Sequence, residues 1–301
     1  MDFKRLLAEP RLLRAMTTLN ADEFRALLPG FERVWHNAQR TALTRLGTER
    51  KRTASDTGAL ADIELKLLFI LVYYKCYPTQ DVMGFWFGVD QAAANRWVHR
   101  LTPVLELVLK RKMALPARRG RNLAKLLAET PGLSFLLDGT ERPVRRPKAA
   151  TPQKERYSGK KKRHTVKNVV VVELRTGKVL GLTDTVGGRR HDKALTDEAQ
   201  IEWPKGSVLL GDSGFQGYTP PGTHVAIPLK RPSGGELDSG AKAANTALSK
   251  VRVRVEHAIG GIKRCGIVST VHRNYKHGFA DRSMLVACGL HNLRVAARRA
   301  V

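Results

Sequence analysis

The spacing of apolar residues along the chain changes near residue 130. Before this point apolar residues recur at intervals of three or four, and prolines divide the pattern into segments at Pro10, Pro29, Pro78 and Pro103. This spacing predicts helices, because positions three and four apart share one face of a helix. After residue 130, short apolar runs typical of strands alternate with helical segments. The pattern predicts an all-α domain over 1–130 and an α/β domain over 131–301.

A helix-turn-helix is predicted in the first domain, over about residues 63–108. An apolar helix at 63–77 is followed by Thr79, which is suited to cap a short helix that ends at Phe87. Gly88 then permits a tight turn, and Asp90 is suited to cap a third helix that begins at Gln91.

The third helix of this motif has a polar face. We predict a core face from Trp97, Leu101, Leu105 and Val108, which recur at intervals of three or four. The residues left on the outward face are Gln91, Asn95, Arg96, His99 and Arg100. Amide and guanidinium side chains near the start of a recognition helix are the types that read base edges in the major groove of DNA. The same pattern also fits a helical hairpin with a solvated polar face.

The second domain has the strand and helix order of a ribonuclease-H-like fold, a mixed sheet flanked by helices. Strands are predicted at 133–138, 168–174, 179–185, 207–212 and 225–229, with one helix beginning near 191 and another over 241–263. A turn at 176–178 joins the second and third strands. In this fold the first and fourth strands lie side by side, so residues at their carboxyl ends become neighbours.

The charge of the chain indicates a polyanionic partner. Lys and Arg number 53 against 27 Asp and Glu, which gives a formal net charge of +26 at pH 7. Nucleic acid is the natural partner for such an excess. Three scattered cysteines without a C-x-x-C pair indicate neither a disulfide framework nor a zinc site. Because no apolar stretch is long enough for a membrane helix, we expect a cytoplasmic protein that does not bind membranes.

Three carboxylates in the second domain are candidates for a metal site. Asp138 and Asp212 follow the apolar runs of the first and fourth strands, and Glu256 lies in the helix at 241–263. A single Asp after a strand is more often a turn residue. Three carboxylates in this order indicate a site for Mg²⁺, which prefers hard oxygen ligands. Mn²⁺ is expected to substitute for it. Two ions about 3.5 to 4 Å apart promote in-line displacement at phosphorus.

A strongly basic segment follows the first of these carboxylates. Residues 141–167 contain eleven Lys or Arg and two Glu. The centre of the segment reads YSGKKKRH and contains Lys160, Lys161, Lys162 and Arg163. We expect these side chains to bind the phosphate backbone near the scissile bond. The alternative is an unstructured basic arm.

Two other motifs match known sites only weakly. GDSGF at 211–215 is similar to the segment around a trypsin-like serine nucleophile, but Phe215 replaces the second glycine. The glycines at 211, 214 and 217 fit neither G-x-G-x-x-G nor a P-loop. We expect them to allow the sharp turn that brings Asp212 to a metal.

Three segments together resemble bacterial insertion-sequence transposases of the DDE type, in the family numbered five that is related to the Harbinger group. They are the stretch at 136–172, which begins LLDGTERP, the GDSGFQGY segment and the RVRVEHAIGGIKR segment. The family has Arg four residues before its third carboxylate and Lys seven after it, and Arg252, Glu256 and Lys263 match that spacing. The family's usual Tyr three before that Arg is Ser249 here.

The resemblance implies a DNA transposase. It implies Asp138, Asp212 and Glu256 as the catalytic, metal-binding residues, with Arg252 and Lys263 as contacts to DNA phosphate. His191 and Asp192 resemble the family's His-Asp pair and would lie at the edge of the active site. Water would cleave the element end, and the exposed 3′ hydroxyl would attack target DNA.

The same resemblance implies partners and a location. The helix-turn-helix would bind the terminal inverted repeats, and the catalytic domain would also engage target DNA. Two ends must be brought together, so a homodimer or higher oligomer on double-stranded DNA is expected, in the bacterial cytoplasm and associated with the nucleoid. A DNA-binding protein derived from a transposase is one alternative, although it has no need of three carboxylates. A ribonuclease-H-like endonuclease that cuts without joining remains open, because cutting and joining use the same site.

Overall fold

In the first structural unit, the described residues form helices joined by turns. The computed structural model describes residues 2–40, 58–118, 120–130, 132–232 and 234–299. The first unit comprises Met1–Leu115 with Arg264–Ile267 and Ala296–Val301. Its helices up to Leu115 are α1 (Phe3–Ala8), α2 (Pro10–Thr17), α3 (Ala21–Arg40), α4 (Ile63–Cys76), α5 (Gln80–Phe87) and α6 (Gln91–Arg111). Residues 41–57 of the predicted all-α domain lie outside the described residues.

The turns on either side of α5 form as the sequence predicts. Thr79 Oγ1 accepts a hydrogen bond of 3.3 Å from the backbone N–H of Val82, at the start of α5. Gly88 ends α5 with a φ of 67°, in the left-handed region that glycine adopts without strain. Asp90 Oδ1 accepts a hydrogen bond of 2.6 Å from the backbone N–H of Ala93, at the start of α6. The predicted caps and the glycine turn are therefore confirmed.

Two prolines do not divide helices as expected. Pro29 lies inside α3 and Pro103 lies inside α6. A proline inside a helix removes one backbone hydrogen bond. In α6 the helix continues because Thr102 and Val104, on either side of Pro103, are buried in the core together with the next turn. Packing therefore outweighs the local preference.

The core face of α6 is slightly rotated from the predicted one. Leu101, Leu105 and Val108 are buried as expected, but Trp97 is only half-buried. Val98 is fully buried in place of Trp97. The predicted core face includes Trp97 because this residue is apolar. The buried side chains instead follow the helical repeat through residues 94, 98, 101 and 105.

The second unit contains a mixed sheet with helices. It comprises Pro116–Lys263 and Val268–Val295. The remaining elements along the chain are α7 (Gly120–Ala128), β1 (Ser134–Pro143), α8 (Ala150–Arg156), β2 (Tyr157–Ser158), β3 (Arg163–Glu173), β4 (Val179–Leu182), β5 (Val186–Gly187), α9 (Asp192–Glu198), β6 (Ser207–Leu210), β7 (Thr223–Ala226), α10 (Ser239–Ile262), α11 (Gly266–Ser269) and α12 (Phe279–Ala297). The unit begins ahead of residue 130, because Leu123 and Leu127 of α7 pack into the same apolar cluster as Phe135 and Leu137 of β1.

The centre of the sheet is β1, which lies between β3 and β6. The strand order is β2-β3-β1-β6-β7, with β4 and β5 also paired to β3. β1 is antiparallel to β3 and parallel to β6. The predicted adjacency of the first and fourth strands is confirmed. β1 does not end at Asp138, however, but continues to Pro143 as the antiparallel partner of β3.

No helix in the described ranges has the length and apolar character needed to cross a membrane. None of the three cysteines forms a disulfide in the described part of the chain, and two of them, Cys265 and Cys288, are buried.

Arg142 is a buried cation near the carboxyl end of β1. Arg142 is only 1% exposed, and its guanidinium donates hydrogen bonds to Asn168 Oδ1 at 2.5 Å and to Thr185 Oγ1 at 3.2 Å. Burial lowers the pKa of Arg142 to about 10. Burial, reinforced by the charge of Arg142, lowers the pKa of His272 to about 4. Part of the basic segment at 141–167 therefore serves the fold.

His272 is expected to make the protein less stable in mild acid. Its folded pKa of about 4 lies below its ordinary value of 6.5. The unfolded chain therefore binds the proton at His272 first as the pH falls, and the contribution of His272 to the free energy of unfolding is fully present above pH 6.5. Between pH 6.5 and 4 this contribution should decrease by at most about 3 kcal/mol. Urea unfolding at pH 7 and pH 5 measures this loss.

The matched variants are His272→Asn and His224→Asn, because His224 is exposed. The first should remove the contribution of His272 to the pH dependence, and the second should retain it. An unchanged pH dependence in His272→Asn would show that another group titrates.

Candidate active site

Asp138 and Asp212 occupy equivalent positions on two parallel neighbouring strands. Leu136 of β1 and Leu210 of β6 form the last pair between these strands, and each Asp lies two residues beyond it. Asp212 Oδ1 accepts a hydrogen bond of 2.8 Å from the backbone N–H of Gly214, which fixes the short 3₁₀ turn after β6. Burial raises the pKa of Asp138 to about 6, and the carboxylate of Asp212 adds to the increase. The two side chains therefore interact electrostatically, as the sequence predicts.

A third carboxylate, Asp192, lies beside this pair. A methyl group on Gly139 would overlap the Asp192 carboxylate. A methyl group on Gly214 would lie 2.8 Å from Asp212 Oδ1 and 2.9 Å from Asp192 Oδ2. The absence of a side chain at both glycines thus leaves room for Asp192 next to the strand ends. Asp192 is the first residue of α9 and does not cap it, because the cap position is His191, which is exposed and makes no capping hydrogen bond through its side chain.

Lys167 of β3 holds Asp192 in place. Its ammonium lies 3.1 Å from Asp192 Oδ1 and 3.6 Å from Glu141 Oε1, and it donates a hydrogen bond of 2.9 Å to the carbonyl of Arg190. Lys167 faces Glu141 directly across the β1–β3 pairing. Glu141 also accepts a hydrogen bond of 2.7 Å from Thr165 Oγ1. Lys167 belongs to the basic segment predicted to bind DNA, but it is buried and paired with carboxylates instead.

The helix α10 packs against β1 and carries the predicted third carboxylate. Arg252 opposes the increase in the pKa of Asp138, so it lies within electrostatic reach of that carboxylate. Burial lowers the pKa of Lys263, with a further contribution from Lys161, while Asp138 acts in the opposite direction. Two cations of the predicted signature therefore lie near Asp138.

Glu256 is exposed on α10, between Arg252 and Lys263 along the helix. Within the described ranges, no three His, Cys, Asp or Glu side chains are arranged to hold one metal ion. The structure thus brings Asp138, Asp212 and Asp192 to one region, while Glu256 lies exposed on α10. Ser249 is exposed further toward the start of α10.

The donor atoms of the pair suit Mg²⁺ or Mn²⁺. Carboxylate oxygens are the hard ligands that these ions prefer, and one or two carboxylates commonly suffice when water and phosphate oxygens complete the shell. Burial is the main cause of the raised pKa of Asp138, and the repulsion from Asp212 that adds to it is the kind of interaction that a divalent cation relieves. Asp138 and Asp212 are accordingly the residues that would hold a metal.

The basic segment is built on regular structure and is not an unstructured arm. It contains α8 and β2, and its last part begins β3. The four predicted DNA contacts are exposed in and after the turn between β2 and β3, and they are Lys160, Lys161, Lys162 and Arg163. The turn includes Lys162 at a φ of 51°. Four positive side chains are therefore presented together on one tight turn.

The polar face of α6 is partly used inside its own unit. Gln91 and Arg96 are exposed and Asn95 is half-buried. Arg100 donates a hydrogen bond of 3.1 Å to Gln39 Oε1 and lies over two aromatic rings, at 4.8 Å from the centroid of Trp97 and 5.2 Å from that of Trp35. Arg100 therefore stabilises the contact between α3 and α6, a role that the sequence does not predict because Trp35 is distant along the chain. Its contact with DNA remains a prediction.

Two family models match this chain. A family model described as "DDE superfamily endonuclease" matches residues 137–292, and one described as "Helix-turn-helix of DDE superfamily endonuclease" matches residues 58–111. No solved structure matches. The second match covers the predicted helix-turn-helix, and the first covers Asp138, Asp212 and Glu256.

Named relatives agree with these matches. The chain is 31% identical over 252 residues to a "Probable transposase for insertion sequence element IS702" of Microchaete diplosiphon, covering 83% of this chain and 87% of the relative. It is 26% identical to a protein of Streptomyces albus G named as a transposase for insertion sequence element IS112, covering 77% and 80% of the two chains. It is 24% identical to a Xenopus laevis protein named as the nuclease HARBI1, covering 82% and 72%. The chain belongs to the DDE superfamily of endonucleases and is a DDE-type transposase of the insertion-sequence kind.

Proposed function

We propose that this transposase binds the terminal inverted repeats of its insertion sequence, cleaves the ends by metal-dependent hydrolysis and joins them to target DNA. Asp138, Asp212 and Glu256 are the proposed metal-binding residues. The observation that carries the proposal is the position of Asp138 and Asp212, each two residues beyond the last pair of two parallel strands. Such a site is expected in the proposed ribonuclease-H-like fold, which the order β3-β1-β6-β7 with β4 on β3 supports.

The place of Glu256 in the site is supported by its neighbours on α10. Arg252 precedes Glu256 by one helical turn and Lys263 follows it by two, so the three side chains lie roughly on one face. Both cations interact electrostatically with Asp138. The turn between them therefore faces the same region, and the Glu256 carboxylate is proposed to complete the site with Asp138 and Asp212.

The chain supplies charge, position and orientation to the reaction. When bound, Mg²⁺ or Mn²⁺ would activate the attacking oxygen and stabilise the charge on the leaving oxygen at phosphorus. Lys161, Arg252 and Lys263 bind the phosphates on either side of the scissile bond and keep it in line with the attacking oxygen. Lys167 keeps Asp192 beside the strand ends, so that the polar groups around the scissile phosphate do not reorganise during the reaction.

Two displacements at phosphorus follow one another. In the first, a water oxygen forms a bond to phosphorus and the bond from phosphorus to the 3′ oxygen of the element breaks, which leaves a 3′ hydroxyl. In the second, that hydroxyl forms a bond to a target phosphorus, and the 3′ oxygen of the target strand leaves. No covalent protein intermediate is needed. Because two ends react together, we propose a homodimer or higher oligomer on DNA.

The test is incubation of the protein with DNA that carries the ends of its own element, in Mg²⁺. Cleaved ends that become joined to a second DNA support a transposase. Cleavage without joining would support an endonuclease instead, and binding without cleavage would support a DNA-binding derivative.

Replacing Arg96 with Ala is expected to weaken binding to the terminal repeats more than binding to random DNA. Arg96 is exposed in the second turn of α6, where a guanidinium can form paired hydrogen bonds with a guanine edge. Loss of such a contact costs about 1 to 3 kcal/mol on the specific site. Titrations of both DNAs at one salt concentration measure the difference.

Lys110→Ala is the matched control, because Lys110 is exposed in the last turn of the same helix. It should change both affinities little and equally. An equal loss on both DNAs in Arg96→Ala would identify Arg96 as a phosphate contact.

A further inference from the structure

A cavity of about 740 Å³ lies on the basic face of the second unit, beside β2 and α8. Its described lining contains the cations Arg146, Lys154 and Arg189, and two rings, those of Tyr157 and His164. None of the described residues that line it is Asp or Glu. Its size falls within the range of pockets that bind small ligands, about 300 to 1,000 Å³. The lining suits a ligand that has both phosphate and a flat ring.

The aromatic part of this cavity is held by the pairing of β2 with β3. Tyr157 faces His164 across the two strands, and their rings meet edge to face with centroids 5.6 Å apart. Tyr157 is 44% exposed. The ring is therefore partly exposed, while the pairing of β2 with β3 fixes its backbone. Aromatic rings that are held in this way bind nucleobases by stacking.

The cationic part is fixed to the same framework. Arg146 donates a hydrogen bond of 3.0 Å to Gln153 Oε1 of α8. The backbone N–H of Arg189 donates a hydrogen bond of 3.2 Å to the carbonyl of Glu155. A methyl group on Gly187 would overlap that carbonyl, so α8 lies directly against β5. Arg146 and Arg189 lie in loops, and these hydrogen bonds attach both loops to α8.

A path of positive charge connects the cavity with the carboxylates. Gly159 lines the cavity, and Lys161 lies two residues further on. Lys161 interacts electrostatically with Lys263, which interacts in turn with Asp138. Along β3, His164 lies six residues before Val170, which pairs with Asp138. Six residues of a strand span about 20 Å, which is the length of about six stacked base pairs.

We propose that this cavity binds one unstacked nucleotide of the DNA, about six positions from the scissile phosphate. The base stacks on Tyr157, and its phosphate lies among Arg146, Lys154 and Arg189. The inference rests on the proposed reaction at the element ends. It adds that one nucleotide of the bound DNA is unstacked during this reaction. A base must leave its pair to enter the cavity, and this step costs least where the pair is already mismatched.

The experiment measures the affinity for element-end duplexes that differ only in one mismatched pair. The mismatch is moved through the ten positions on either side of the cleavage site, and binding is followed by fluorescence anisotropy in EDTA. A mismatch at one or two neighbouring positions should tighten binding about tenfold. Tyr157→Phe should keep this gain, and Tyr157→Ala should lose it.

Tyr275→Ala is the control, because Tyr275 is an exposed aromatic residue next to Arg145 but outside this cavity. It should bind every duplex as the wild type does. Equal affinity at all positions, or a gain that persists in Tyr157→Ala, would overturn the nucleotide site and leave a groove for phosphate alone. Failure to bind the fully paired ends would overturn the proposed function as well, so the two failures are distinguishable.

Discussion

Replacing Asp138 or Asp212 with Asn is expected to lower the rate of cleavage at the element ends by about a thousandfold. Asn keeps the size of the side chain but removes the charge that would hold a divalent cation. Loss of metal-assisted stabilisation of the transition state amounts to several kcal/mol, and about 4 kcal/mol corresponds to this factor. Binding to the ends should persist, because removing a carboxylate from a basic surface does not weaken its attraction for phosphate. Cleavage in Mg²⁺ and binding in EDTA measure the two effects separately.

Asp197→Asn is the matched control for these variants. Asp197 is an exposed carboxylate of α9 that pairs with Lys193 four residues before it. Its replacement should leave cleavage within about a factor of two. Wild-type cleavage by Asp138→Asn or Asp212→Asn would remove these residues from the active site.

Replacing Lys167 with Met is expected to decrease the free energy of unfolding by about 3 to 5 kcal/mol. The Lys167 side chain is 10% exposed, and its partners Glu141 and Asp192 are 7% and 16% exposed. Removal of the ammonium leaves two carboxylates close together without a counter-ion, and breaking a buried pair on one side costs about this much. Asp192 would also lose its fixed position beside Asp138. Urea unfolding measures the first effect, and end cleavage by the folded fraction measures the second.

Lys193→Met provides the comparison for Lys167→Met. Lys193 and Asp197 form an exposed pair, with side chains 40% and 44% exposed. Such pairs contribute about 0 to 1 kcal/mol, so little change is expected. If both variants unfolded at the same urea concentration, the ion pairs of Lys167 would not be holding this part of the sheet together.

Features that depend on neighbours in the sequence could be predicted. The Thr79 and Asp90 caps and the Gly88 turn each involve residues three or four positions apart, and all three form. The pairing of the strands before Asp138 and Asp212 could be predicted because both strands are apolar runs in a recognisable order. These signals were sufficient to place two carboxylates of the candidate site together.

Features that depend on distant neighbours could not be predicted. In the sequence, Arg142 and Lys167 are two positive charges of a basic segment. In the structure, the register of β1 on β3 buries both side chains, and their partners lie on β1, β3 and α9. Arg100 is a polar residue on an outward face until Trp35 comes to lie beside it. Asp192 was predicted only at the edge of the site through a family resemblance, and the room left by Gly139 explains its actual place.

The most direct test of the account is the rate at which Glu256→Gln cleaves element ends in Mg²⁺. Glu256 is exposed, so its replacement should leave the fold intact, and Glu236→Gln supplies a control at another exposed carboxylate. Glu256→Gln is expected to bind the ends normally and to lose cleavage to the same extent as Asp138→Asn, while Glu236→Gln should cleave at the wild-type rate. Cleavage by Glu256→Gln at the wild-type rate would contradict a catalytic centre of Asp138, Asp212 and Glu256.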